Sequence, residues 1–132
     1  IEKLLSMNTE DENALLLKGE ILAVSGEEEK ALELINQVLA LNPFSEKAYL
    51  LKGSYFLAKQ AFDKAIEVYD EALEINPNFA QAYHERGRVK LAKGDKQGSM
   101  EDMKRAIELS PENGANINGE YNNYEQQKNI PF

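Results

Sequence analysis

His84 is the only histidine in this chain of 132 residues, and the chain contains no cysteine. A lone imidazole has no second ligand with which to hold a metal, and no positioned nucleophile stands beside it. Without cysteine there is neither a disulfide framework nor a thiolate metal site. We therefore predict that the chain is not an enzyme, with no catalytic residue, no cofactor and no metal.

Glycine and carboxylate patterns supply no catalytic chemistry either. Gly94 precedes Asp95 in a turn, and the glycine-containing segment 114–119 precedes no apolar helical run, so neither is typical of a phosphate-binding loop. A run of acids follows one face of a predicted helix: Asp63, Glu67, Asp70, Glu71 and Glu74. This pattern favours an exposed outer face over a site for a cation or a basic partner.

The net charge of −8 narrows the classes of partner. Nucleic-acid binding needs a basic surface, so we expect no nucleic-acid partner. No apolar run approaches the roughly 20 residues that span a bilayer, so we expect no membrane insertion by this chain. A partner, if present, is predicted to be a protein or a peptide.

A short signature recurs three times at an interval of 34 residues. Glycine opens it and proline closes it, with a small residue and then a larger apolar one between them. The positions are Gly19, Gly53 and Gly87; Ala31, Ala65 and Ser99; Ile35, Tyr69 and Met103; Pro43, Pro77 and Pro111. An internal repeat of this length predicts an array of supersecondary units that stack on one another.

Apolar residues at three- and four-residue spacing predict two helices in each repeat. We place the first repeat at residues 12–45, the second at 46–79 and the third at 80–113. Glycine inside a helix costs about 1 kcal/mol relative to alanine. We therefore expect each repeated glycine to admit the second helix closely, against the small residue of that helix.

The two ends of the chain depart from this pattern. Residues 1–11 are predicted to be the last part of a helix from a preceding repeat, because Leu5 and Met7 align with Leu39 and Leu41. Residues 114–132 form a tail in which 120–129 fit a short polar helix. Two hypotheses remain for the tail: it caps the last repeat, or it docks in a groove and causes self-association.

From these residues the sequence resembles the tetratricopeptide-repeat family, whose unit is a helix–turn–helix of this period. The resemblance covers residues 12–113 fully and 1–11 in part. One position departs from the family pattern, where Lys18, Lys52 and Arg86 replace an apolar residue. We expect their aliphatic stems to cover apolar surface while their charges reach water. The resemblance implies an all-α fold, a right-handed superhelical solenoid of antiparallel helix pairs.

The resemblance also implies a concave groove that is lined by the first helices and holds a partner segment. Helical phase selects the lining residues as those turned away from the glycine seam. They are Asn13, Leu16, Leu17, Glu20, Ala23 and Val24; Lys47, Leu50, Leu51, Ser54, Leu57 and Ala58; and Gln81, His84, Glu85, Arg88, Leu91 and Ala92. Alternatively, Leu16, Leu50 and Leu57 simply pack against neighbouring helices, as apolar helical stripes usually do.

One subclass of the family binds acidic chaperone tails through lysine, asparagine and arginine in this groove. The matching positions here hold Leu16, Glu20, Leu51, Gln81 and Glu85, which offer a carboxylate no cation. We therefore predict a non-enzymatic module that binds a peptide or protein in its groove, but not by this carboxylate clamp. The alternative is a structural or self-associating segment, or an appendage of a larger protein with an enzymatic domain elsewhere.

Overall fold

The computed structural model describes residues 9–111, and within this range six helices are joined by short turns, without strands. The side chain of Thr9 is not among the described groups. The helices are α1 Thr9–Val24, α2 Glu28–Leu41, α3 Glu46–Ala58, α4 Phe62–Ile75, α5 Ala80–Lys93 and α6 Lys96–Leu109. The all-α class and the two helices of each predicted repeat are thereby confirmed.

The start of α1 modifies one predicted boundary. Residues 9–11 were assigned to the end of a preceding helix, whereas they form the first turn of α1. The rest of that prediction falls on residues 1–8, which lie outside the described part of the chain. The predicted tail helix and its self-association likewise fall outside it, since residues 112–132 are not described.

The turn between the two helices of a repeat has the same form in all three repeats. Gly26, Gln60 and Gly94 occupy equivalent positions with φ of +90°, +59° and +103°. Each donates its N–H to the carbonyl three residues earlier, and the next residue donates to the carbonyl five residues before itself. This left-handed cap satisfies helix-end carbonyls. Gln60 adopts at some cost a conformation that glycine adopts freely.

The turns between repeats depend on Asn-Pro. The Asn42 side-chain oxygen accepts from the Phe44 N–H at 3.2 Å, and Asn76 does the same for Asn78 at 3.1 Å. Glu12 then connects the first of these turns to α1. Its carboxylate accepts from Asn42 Nδ2 at 2.7 Å and from Ser45 Oγ at 2.8 Å. Polar side chains therefore fix where α3 begins relative to α1.

The chain divides into two compact units, Ile1–Val68 and Tyr69–Phe132, with the boundary inside α4. In the first unit, Leu16, Ile35, Val38 and Ala48 form a buried cluster, against which Leu15, Leu39 and Leu51 pack. In the second, Met103 and Ala106 are buried, and Tyr83 and Ile107 pack against them. These clusters use the recurring apolar positions that the sequence pattern predicts.

The predicted glycine seam differs between the two units. A Cβ placed on Gly87 would lie 3.1 Å from the Ser99 carbonyl oxygen and 3.3 Å from the Asp102 Cβ. A Cβ on Gly19 would lie 3.8 Å from its nearest neighbours, the Ala31 carbonyl oxygen and Ile35 Cγ1. The close approach that requires glycine is confirmed at Gly87, whereas Gly19 leaves room for a methyl group.

Alanine at these two positions is expected to have opposite effects on stability. Gly19→Ala should raise the free energy of unfolding by about 0.5–1 kcal/mol, because it removes glycine's helix penalty without a clash. Gly87→Ala should lower it by about 1–3 kcal/mol, because the backbone at Ser99 must move. Urea denaturation of both variants measures the difference, and a change of the same sign in both would contradict this account of the seam.

The Arg86 side chain is only 18 % exposed, and its charge is paired with two carboxylates. It donates from Nε to Asp102 Oδ2 at 2.9 Å, from Nη2 to Asp102 Oδ1 at 2.8 Å, and from Nη1 to Asp70 Oδ1 at 2.7 Å. Lys90 Nζ lies 3.1 Å from Asp102 Oδ2, and the guanidinium lies over the Tyr83 ring at 5.3 Å. The hydrogen bond to Asp102 raises the pKa of Arg86 above its ordinary value. The second unit thus contains a charge network centred on the buried Asp102 carboxylate.

Candidate functional site

The first compact unit contains an open pocket of about 430 Å³. All of α1, α2 and α3 contribute to it, and its lining is mostly apolar. The lining residues are Gly19, Glu20, Ala23 and Val24 from α1; Glu28, Ala31 and Ile35 from α2; and Leu51, Ser54, Tyr55 and Ala58 from α3. We call this the unit-1 pocket. Its volume lies in the range of pockets that bind small ligands or side chains.

Each helix contributes to the unit-1 pocket for a local reason. The core positions Ala31 and Ile35 are buried on α2, and they form the base of the pocket. Gly19 and Ala23 are small, so the side of α1 that faces this base leaves space unfilled. Val24 is 90 % exposed, at the open edge of the pocket. The pocket is therefore a product of small residues on α1 above a buried apolar base.

Two charged residues line the unit-1 pocket, and they differ in their pairing. Glu28 forms an ion pair with Lys59, whose ammonium also lies over the Tyr55 ring at 5.6 Å. The hydrogen bond from Lys59 to Glu28 raises the pKa of Lys59 above its ordinary value. Glu20 is exposed and has no ion-pair partner among residues 9–111. The pocket therefore presents one uncompensated negative charge beside an apolar lining.

The structure brings together part of the groove that was predicted in the first unit. Six predicted positions line the unit-1 pocket: Glu20, Ala23, Val24, Leu51, Ser54 and Ala58. Asn13 and Lys47 are exposed and joined by a hydrogen bond of 3.2 Å between Lys47 Nζ and Asn13 Oδ1. Other predicted positions do not line the pocket: Leu17 is exposed, and Leu50 and Leu57 are half-buried.

Leu16 corrects the prediction. It was assigned to the groove, yet its side chain is only 2 % exposed and belongs to the cluster of Ile35, Val38 and Ala48. The packing alternative is therefore the right one for Leu16. The Leu16 side chain therefore packs α1 against the core and is not accessible to a partner.

The predicted groove positions of the second unit all lie on α5. Gln81 and Arg88 are exposed, whereas His84, Glu85 and Leu91 are half-buried. Arg88 Nη1 lies 3.4 Å from Glu85 Oε1, one helical turn away. Among the described residues, no group of three His, Cys, Asp or Glu side chains is placed to hold a metal ion.

Reasoning from the sequence missed Glu28, Tyr55 and the α2 base of the unit-1 pocket. The prediction used only first helices, so residues of α2 were never candidates. Tyr55 follows Ser54 directly, but helical phase assigned it to another face. The Glu28–Lys59 pair joins residues 31 positions apart, which is not a helical spacing, so no local signal marks it.

Two family models match the sequence. One, described as TPR repeat, matches residues 53–94, and another, described as tetratricopeptide repeat, matches residues 80–113. Together with the helix pairs and the recurring signature, these matches decide the family. Residues 53–113 of the chain belong to the tetratricopeptide-repeat family. Among curated proteins, none gives a significant match to this sequence.

Solved structures with the same fold agree with this assignment. The first TPR domain of Spaghetti (RPAP3) bound to the HSP90 peptide SRMEEVD is 19 % identical, with a TM-score of 0.75 over 94 % of this chain and 98 % of that one. The Yersinia enterocolitica translocator chaperone SycD is 17 % identical, with a TM-score of 0.77 over 93 % and 98 %. The TPR2B domain of yeast Sti1 in complex with pHsp70 is 19 % identical, with a TM-score of 0.75 over 88 % and 97 %.

At identities of 17–19 %, these similarities show the fold and do not identify a partner. The predicted all-α, tetratricopeptide-like fold class is confirmed. Within residues 9–111, no helix is both long enough and apolar enough to cross a membrane.

Proposed function

We propose that this tetratricopeptide-repeat chain is a non-enzymatic interaction module that binds a peptide or protein segment along its first helices. The repeat family, and the peptide and protein complexes named for proteins of the same fold, support a protein-interaction module. The finer proposal is that binding is centred on the unit-1 pocket. It is supported by the open, mostly apolar pocket that α1, α2 and α3 form there.

Three features of the unit-1 pocket support this role. It is open to solvent, so a partner has access without rearrangement of the helices. Its lining is apolar apart from Glu20, Glu28 and Ser54, so burial of an apolar side chain is favourable. Its volume of about 430 Å³ accommodates one large aliphatic or aromatic residue. Such an anchor residue in a pocket typically dominates the affinity of a peptide.

The same residues argue against recognition of an acidic tail. At the positions that form a carboxylate clamp in one subclass of the family, Leu16 is buried and Glu20 and Leu51 line the unit-1 pocket. Glu85 forms an ion pair with Arg88 and would compete with an acidic ligand for the guanidinium. A terminal carboxylate would therefore meet apolar groups and a like charge. We expect the peptide SRMEEVD to show no saturable binding to this chain in a fluorescence-anisotropy titration.

Blocking the unit-1 pocket tests the proposal. Peptides selected from a random library on the parent protein are expected to bind at least about tenfold more weakly to Ala58→Trp, because the indole occupies the pocket. The matched control is Ala40→Trp, which adds the same side chain to an exposed position of α2 outside the pocket. Circular dichroism confirms that both variants fold.

Two results would contradict the proposal. One is a selection that yields no binding peptide. The other is a set of peptides whose affinity is unchanged by Ala58→Trp, or is lowered equally by Ala40→Trp.

A further inference from the structure

We infer that the unit-1 pocket selects a peptide in which an apolar anchor residue has a lysine or arginine next to it. This inference rests on the proposed function and adds the chemical class of the partner. It is carried by the combination of an apolar lining with one unpaired carboxylate, Glu20, at the same pocket.

The apolar requirement follows from the base and the open edge of the pocket. Ala31 and Ile35 are buried at the base, and Leu51 packs against the same core. A polar side chain placed there would lose its hydrogen bonds with water and find none among these groups. An aliphatic or aromatic side chain gains instead, and Val24, which is 90 % exposed, would be covered with it.

The basic requirement follows from how the charges around the pocket are paired. The Lys59 charge is already paired with Glu28, and its ammonium lies over the Tyr55 ring. Glu20 is not compensated by any residue in the described part of the chain. A cation beside the anchor therefore meets an open carboxylate, whereas an acid meets repulsion.

Matched peptides measure this preference. From a peptide selected on the parent protein, three synthetic versions are made that differ only beside the anchor, with Lys, Gln or Glu there. The parent is expected to bind the Lys version about two- to fivefold more tightly than the Gln version, the size of an exposed ion pair, and the Glu version most weakly. Glu20→Lys should invert the order. Glu33→Lys, an equal charge change outside the pocket, should leave it intact.

The outcomes separate this inference from the function on which it rests. If no peptide is sensitive to Ala58→Trp, the proposed function fails and the inference with it. If peptides require the pocket but bind equally with Lys, Gln or Glu, the function stands and the inference is overturned. The same holds if Glu20→Lys leaves the order of affinities unchanged, or if the parent prefers Glu.

Discussion

Replacing Arg86 by methionine is expected to lower the free energy of unfolding by about 3 kcal/mol. The Asp102 side chain is only 6 % exposed, and Arg86 donates to both of its oxygens. Removing the guanidinium leaves a buried carboxylate with Lys90 as its remaining described ion-pair partner. The loss therefore falls at the lower end of the range for breaking a buried pair. Urea denaturation at neutral pH measures it.

Lys52→Met is the matched control for this prediction. Lys52 occupies the same repeat position as Arg86, and it has no ion pair among the described residues. The substitution should change the free energy of unfolding by less than about 0.5 kcal/mol. A loss of equal size in both variants would show that the position matters for packing alone and that the charge network contributes nothing.

A double variant separates the carboxylate from the guanidinium. Position 102 corresponds to Val68 in the preceding repeat, so the double variant Arg86→Met with Asp102→Val replaces both charged partners by apolar residues. Replacing a buried ion pair by well-packed apolar residues is often neutral or stabilising. We expect the double variant to recover most of the stability that Arg86→Met alone loses. A double variant as unstable as the single one would contradict the idea that the unpaired Asp102 causes the loss.

The sequence predicts the helices well because their determinants are local and repeated. Three copies of one signature reduce the ambiguity of each, so the repeat phase alone predicts that Gly87 and Ser99 are neighbours. The left-handed turns recur at the same interval, although the middle one has Gln60 where the other two have glycine. Repetition therefore carries information that a single segment of this length lacks.

The charge network and part of the unit-1 pocket escaped prediction because the repeat does not encode them. Asp70 and Asp102 align with Asn36 and Val68 one repeat earlier, so the pairing with Arg86 has no counterpart there. In the same way, the Glu28–Lys59 pair has no periodic signal. Long charged side chains such as Arg86 can reach several carboxylates, and which of them lie close enough depends on the packing of the helices.

Helical phase also failed to separate Leu16 from Leu17, and the reason is geometric. Adjacent residues point about 100° apart on a helix, whereas the apolar stripe of a packed helix is itself at least about that wide. Both residues therefore fall within a face that is drawn from phase alone. Only the packing of α2 and α3 decides that Leu16 is buried and Leu17 is exposed.

Alanine at these two neighbouring leucines gives the second large expected effect. Leu16→Ala should lower the free energy of unfolding by about 2–5 kcal/mol, because it opens a cavity among Ile35, Val38 and Ala48. Leu17→Ala should cost at most about 1 kcal/mol, because the Leu17 side chain is already 57 % exposed in the folded chain. Thermal and urea denaturation of the two variants provide the comparison.

Binding then distinguishes a core role for Leu16 from a role in the groove. A core residue that does not line the unit-1 pocket changes the fraction of folded protein but not the affinity of the folded form. At a temperature where Leu16→Ala is fully folded, a peptide selected on the parent should therefore bind with unchanged affinity. If Leu16→Ala instead keeps its stability and loses the peptide, then Leu16 contacts the partner, and the correction drawn from its burial is wrong.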